Sequence, residues 1–156
     1  MIPNAFDYKT NRFYLKSSNV TFDLQLRGYK NIVGENSGTG KTLLYKTIEN
    51  FKELEESGAA KYSVQNITAL NRRADRKKLF EFLNVTENLI IIDNADHLLR
   101  GRQDVINQII EDNNNVYLIF SRAVEFEISL NYYARFEKNS DGIITISYEF
   151  NQGGWF

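Results

Sequence analysis

Apolar residues along this chain fall into three spacings, and each spacing predicts a different element. Val20, Phe22, Leu24 and Leu26 alternate with Thr21, Asp23 and Gln25, the period-two pattern of a strand with one buried face. Phe13-Tyr14-Leu15 comes before it, and Ser17-Ser18-Asn19 between the two has turn composition, so the pair reads as an antiparallel hairpin. Gly28 separates that hairpin from a short, partly apolar strand over 29–33. Leu89-Ile90-Ile91-Ile92 and the run 116–120 do not alternate, which suits central parallel strands buried on both faces. Residues 61–67 read as another strand.

Helical spacing appears in three places. Leu44, Ile48, Phe51 and Leu54 share one face of a helix over 43–54, which Ser57-Gly58 stops. Leu79, Phe80 and Leu83 mark a helix over 71–83 whose first turns carry Arg72, Arg73, Arg76, Lys77 and Lys78, a basic face solvated or turned to a phosphate or acidic partner. Val105, Ile106, Ile109 and Ile110 form the apolar side of a helical stretch over 96–112 with a break at Gly101. Towards the end, 132–137 and 143–150 flank Lys138-Asn139-Ser140-Asp141-Gly142, and Asp-Gly between two β-rich runs signals a second hairpin. The aromatic tail after it either docks on the body or frays.

The chemistry concentrates between the strand at 29–33 and the helix that follows. There the chain reads Gly34-Glu35-Asn36-Ser37-Gly38-Thr39-Gly40-Lys41-Thr42. Gly38 and Gly40 allow positive φ, so successive backbone N–H groups can point inward at an anion. The helix start aims its dipole and free amides at the same spot. Lys41 adds a cation that can reach β- and γ-phosphates, and the Thr42 hydroxyl can take one position on Mg²⁺. The stretch resembles the Walker A motif of P-loop nucleoside triphosphatases, with Glu35 where the first glycine of that motif stands. The resemblance makes Glu35, Asn36, Ser37, Gly38, Thr39, Gly40, Lys41 and Thr42 the nucleotide-binding residues.

Asp93, at the end of an apolar strand, resembles a Walker B aspartate, which implies Mg²⁺ held between it and Thr42. The alternative is a strand-terminal Asp that caps the next helix. Asn94-Ala95-Asp96-His97 follows, with Asn94 where many ATPases carry a water-polarising glutamate. A neutral amide can hydrogen-bond a water but cannot take its proton, so slow hydrolysis is expected. Asp96 and His97 lie near enough in sequence to substitute, although Asp96, two residues further into a chain turning helical, is expected to point elsewhere.

The order of elements resembles the additional-strand class of P-loop proteins, which includes the AAA+ and ABC types. In that class the strand at 116–120 lies between the phosphate-loop strand and the aspartate strand. Ser121 then occupies a polar sensor position, and Arg122 is either a catalytic arginine or a surface cation. The resemblance covers roughly residues 29–122. It implies an α/β three-layer sandwich with a mainly parallel central sheet and antiparallel hairpins at the N- and C-terminal ends. No Leu-Ser-Gly-Gly-Gln signature occurs, nor an Asn-Lys-x-Asp or Thr-Lys-x-Asp for a guanine edge, so ATP is expected over GTP.

Composition narrows the remaining choices. The 156 residues suit one domain spanning 1–156. Lys plus Arg number 19 against 20 Asp plus Glu, so no global field calls for nucleic acid or an acidic membrane. The absence of cysteine excludes disulfides and thiolate metal sites, and His97 alone cannot make a histidine cluster. The amino-terminal residues do not read as a secretory signal and no apolar run is long enough to span a bilayer, so a cytoplasmic location is the default expectation. The function classes left are a slow ATPase, a non-hydrolysing ATP-binding subunit that acts with a protein partner or a second copy, and, less well supported, a small-molecule kinase.

Overall fold

The computed structural model describes residues 1–34, 40–70, 84–121 and 132–148. Its strands are β1 (Phe6–Asp7), β2 (Arg12–Lys16), β3 (Thr21–Gln25), β4 (Lys30–Gly34), β5 (Ile67–Leu70), β6 (Leu89–Ile92), β7 (Val116–Ser121), β8 (Tyr132–Lys138) and β9 (Ile143–Tyr148). Its helices are α1 (Lys41–Glu56), α2 (Ala95–Leu98) and α3 (Gln103–Glu111). The strands form one sheet in the order β1-β2-β3-β9-β8-β4-β7-β6-β5. Neighbours pair in parallel from β8 through β4, β7 and β6 to β5, and again at β3–β9. The pairs β1–β2, β2–β3 and β8–β9 are antiparallel. The chain is therefore mixed α/β. Its two hairpins are not appendages at the ends, because the β3–β9 pair joins them into one half of the sheet.

The unalternated apolar runs have the cause inferred for them. Side chains along a strand point to opposite faces, and the central strands are covered on both. Leu89 and Ile91 of β6, Val116, Leu118 and Phe120 of β7 and Val33 of β4 enter one core with Leu44, Ile48 and Phe51 of α1. Ile90, Ile92, Tyr117, Ile119 and Ile32 enter a second core with Leu98, Val105 and Ile109 from the α2–α3 side. The first core also takes Phe6, Phe13, Phe22 and Leu24 from the amino-terminal strands. The sheet curls round α1 so far that its ends approach. Ala5 N–H donates to Ser63 O (2.9 Å), Ser63 N–H to Pro3 O (2.8 Å), and Asn66 Nδ2 to Phe6 O (2.8 Å).

That closure corrects the strand expected over 61–67. The ladder begins only at Ile67, because 61–66 are used across the end of the curl. Val64 is buried and its N–H donates to the Glu55 side chain at Oε1 (2.9 Å), while the Tyr62 ring packs edge-on against Phe51 and Tyr14. The break at Gly101 occurs as expected, with positive φ (72°) between α2 and α3. The basic helix expected over 71–83 and the tail beyond 148 lie outside the described residues. Among the described residues no helix is long and apolar enough to cross a membrane.

Two polar networks anchor the sheet away from its carboxyl edge. At the amino ends of β4 and β7, Lys30 Nζ donates to Asp112 O (2.5 Å) and the Tyr117 hydroxyl to Asp112 Oδ2 (2.5 Å). Burial pushes the Lys30 ammonium below the ordinary lysine range and, with the Asp112 carboxylate, pushes the Tyr117 phenol up. The second network centres on Asn31, which is fully buried. Its Oδ1 accepts from Arg27 N–H (3.0 Å) and the Tyr148 hydroxyl (2.5 Å), and its Nδ2 donates to Tyr117 O (3.2 Å). One side chain thus ties β4 to β7 and β9. Asn31→Ala removes the partner of the buried Tyr117 carbonyl and of the partly buried Tyr148 hydroxyl, and is expected to cost about 2–3 kcal/mol. Urea unfolding checks it, as a lowered midpoint with an unchanged slope.

Candidate functional site

The carboxyl ends of β4, β7 and β6 lie side by side, and the residues singled out from the sequence cluster there. Gly34 ends β4 and pairs in register with Ser121, the last residue of β7. Ile92, the last residue of β6, pairs with Ile119. Strand β7 therefore lies between β4 and β6, the strand order that the resemblance implied. Glu35, Asn36, Ser37, Gly38, Thr39 and Arg122 lie outside the described residues.

Gly40 caps the amino end of α1 with φ 89° and ψ −12°. The left-handed backbone favours glycine there, and so does the space. A Cβ at this position would meet Ile144 Cδ1 at 3.0 Å and Phe136 Cδ2 at 3.4 Å. Hairpin β8–β9 is thus packed directly on the loop-to-helix junction, a contact that nothing in the local sequence signals. Phe136 also stands edge-on to Phe120 at the end of β7, with ring centroids 5.5 Å apart.

Lys41 is the first residue of α1, and its Nζ lies 3.0 Å from Asp93 Oδ1. Both side chains are largely shielded, at 29% and 21% exposure. Asp93 Oδ1 is buried and accepts no hydrogen bond, so the ammonium is what compensates it. The capping alternative for Asp93 does not match this arrangement, since Asn94 is the residue at the cap of α2 and it makes no side-chain cap bond. Thr42 is exposed on the first turn of α1. Among the described residues no group of three or more His, Asp or Glu side chains could hold a metal by itself.

Asn94 is exposed and left-handed, with φ 53° and ψ 51°. Asn tolerates that conformation better than other side-chain-bearing residues. The turn it makes sends the chain sharply back from β6 into α2. Asp96 consequently returns over the end of β7, where the buried Ser121 hydroxyl donates a short bond (2.5 Å) to its Oδ1. Asp96 is thereby seated on the end of β7, on the face of the sheet that α2 covers. Its sequence signal was an acidic residue three positions after the strand-ending aspartate. His97 is half-buried on α2, its backbone N–H bonded to Asn94 O.

No protein-family model matches the chain, and no curated protein matches it. Among solved structures, one chain described as "RNase-L Inhibitor" is similar at a TM-score of 0.39 and 11% identity over 86% of this chain. This chain spans 38% of the length of that one.

Gly40→Ala combines the strain of a left-handed alanine, about 1–2 kcal/mol, with a displaced Ile144. Gly58 also has positive φ (79°), but open space surrounds it. Gly40→Ala is therefore expected to lower the thermal midpoint clearly more than Gly58→Ala, and the difference between the two variants measures the packing of β8–β9 on the loop junction.

Proposed function

We infer that this chain is a nucleotide-binding protein of the P-loop type that takes ATP with Mg²⁺ and hydrolyses it slowly. The carrying observation is the Lys41–Asp93 contact at 3.0 Å, made at the carboxyl ends of β4 and β6 with β7 between them. A lysine opening a helix after a glycine-rich loop is suited to phosphate oxygens. In its present place it neutralises a carboxylate whose buried oxygen has no hydrogen bond. A cation that moved onto a phosphate would leave that oxygen facing the site, and a hard divalent ion suits it. Mg²⁺ suits such a site because it binds through one or two protein oxygens together with substrate phosphates. Asp93 and the Thr42 hydroxyl would hold it, and it would neutralise charge building on the phosphates. Glu35, Asn36, Ser37, Gly38, Thr39 and Gly40 line the phosphates in this reading, and Ser121 and Arg122 face the γ-phosphate.

A second reading has the same site with a different output. Asn94 follows Asp93 with a neutral amide, which favours a switch in which bound ATP stabilises a conformation or a complex with a protein partner or second copy. Preference for ATP over GTP rests on the missing guanine-edge motif.

Two measurements test the reading. Lys41→Ala is expected to weaken ATP binding by about 2–4 kcal/mol, as when a charged contact loses one partner. Calorimetry that finds the parent affinity retained overturns the phosphate-loop assignment. Asn94→Glu is expected to raise phosphate release at saturating MgATP at least several-fold with little change in ATP affinity. It should also lose about 1 kcal/mol of stability, because glutamate pays more than asparagine for a left-handed backbone. A parent turning over at about one per second or faster, in the ordinary enzyme range, defeats the slow-ATPase reading.

A further inference from the structure

The charges of this chain nearly cancel, with 19 Lys plus Arg against 20 Asp plus Glu, so a place where cations stand without acids is a local feature. The clefts around the amino-terminal strands and the end of α1 differ in this respect. One is lined by Lys52 together with Glu55 and Glu56. Another is lined by Arg12 and Asp7, and the Arg12 guanidinium is also paired with Asp23 at 2.9 Å. A third lies between the end of β2, the second half of α1 and the segment 59–62, and it is lined by Lys16 and Lys61 with no Asp or Glu. Neither of these lysines has an ion-pair partner among the described residues. We propose that this third groove binds a small organic anion, an apolar body that bears a carboxylate or a phosphate group.

The floor of the groove matches the apolar half of such a ligand. Phe51 is buried, while Leu54 and Tyr62 pack on the core and keep part of their surface open. Covering that surface is favourable. The volume, about 560 Å³, falls within the roughly 300–1,000 Å³ usual for small-molecule sites. The rim matches the charged half, with Ser18 and Asn50 as further hydrogen-bonding groups beside the lysines. A lysine ammonium acts on a carboxylate or phosphate as a point charge, so two of them beside one apolar floor favour an anion over a neutral molecule.

The scaffold under both lysines is fixed. Directly after Lys16, Ser17 Oγ accepts from Val20 N–H (3.1 Å) and donates to Val20 O (2.9 Å), which locks the turn between β2 and β3. Next to Lys61, the Tyr62 ring is held edge-on by Tyr14 and Phe51, and Ser63 is tied to Pro3 and Ala5. The carboxyl end of α1 has the dipole sign that opposes an anion, and it is closed: Glu53 O, Leu54 O and Glu55 O accept from the N–H groups of Ser57, Ala59 and Gly58. The Glu55 carboxylate is committed to Val64 N–H and lines the neighbouring cleft. At a helical rise of about 1.5 Å per residue, Phe51 stands about 15 Å along α1 from Lys41. The groove is therefore separate from the Lys41–Asp93 contact, and its ligand does not depend on nucleotide binding.

The test uses the intact chain with 2-naphthoate, 2-naphthyl phosphate, the neutral 2-naphthylmethanol and inorganic phosphate. Calorimetry gives the affinities, and backbone amide shifts in NMR spectra give the place. Both naphthyl anions are expected to bind at millimolar Kd or tighter, as their size allows, and to shift the amides of Ser18, Asn50 and Tyr62. They should bind at least about tenfold tighter than the alcohol or inorganic phosphate, and the tighter of the two identifies the anionic group. Added salt should weaken the anions and not the alcohol. Lys16→Gln and Lys61→Gln should each weaken the anions by about two- to fivefold with the thermal midpoint unchanged, since both side chains are exposed. Lys41→Ala should leave their affinity as it is. Anions that bind no tighter than the alcohol, that show no binding at millimolar concentration, or that shift only residues outside the groove overturn the proposal. Loss of binding in Lys41→Ala overturns it too, because the probe then occupies the phosphate-loop site. If that variant does not fold, the amide shifts of the parent decide the same point.

Discussion

The arrangement at the carboxyl edge depends on one constraint, the insertion of β7 between β4 and β6. Every residue of β7 is buried, so its side chains must satisfy two cores at once while its backbone is paired on both sides. A strand so placed has no room for polar groups along its length except where they find partners. Tyr117 does so at the amino end through Asp112, and Ser121 at the carboxyl end through Asp96. Because β7 is parallel to both neighbours, its carboxyl end is level with the end of β4 and beside that of β6. An antiparallel β7 would have put Ser121 at the Lys30 end of the sheet.

The two ends of that central sheet are chemically distinct. At the amino end the charged groups are closed on themselves: the Lys30 ammonium, shifted down by burial, is spent on a carbonyl, and Asp112 is spent on Tyr117 and Asn115. Such a network fixes strand position and offers nothing to a ligand. At the carboxyl end the Lys41–Asp93 contact is largely but not fully shielded and is the type of pair that a charged ligand could open. Breaking a buried pair without a replacement is costly, so the exchange becomes favourable only when a polyanion and a cation arrive together.

Local pattern made the parallel half of the fold legible and left the other half obscure. The unalternated runs in β6 and β7, the apolar stripe of α1 and the break at Gly101 are all consequences of which faces are buried, and periodicity reports burial. The β3–β9 pair, the seating of Ile144 and Phe136 on Gly40, and the use of 61–66 to close the curl are pairings between distant segments, and period-two patterns do not say which strand is the neighbour. Strand β1, two residues long, is too short to leave a pattern at all. Within the site, Lys41 and Asp93 were legible because glycine and apolar flanks fix their context. The bond between Asp96 and Ser121 was not legible, because its direction is set by a dihedral angle at Asn94, and a single residue's φ is not written in hydrophobic spacing.

That dihedral angle bears on why the residue after Asp93 is an asparagine. In the right-handed region a glutamate there would carry no backbone penalty and could face the loop. With φ at 53° the same glutamate pays for its Cβ, and asparagine pays less. The left-handed turn is also what folds α2 back so that Asp96 meets Ser121. One conformational choice therefore both disfavours a carboxylate at position 94 and seats the Asp96 carboxylate on the end of β7.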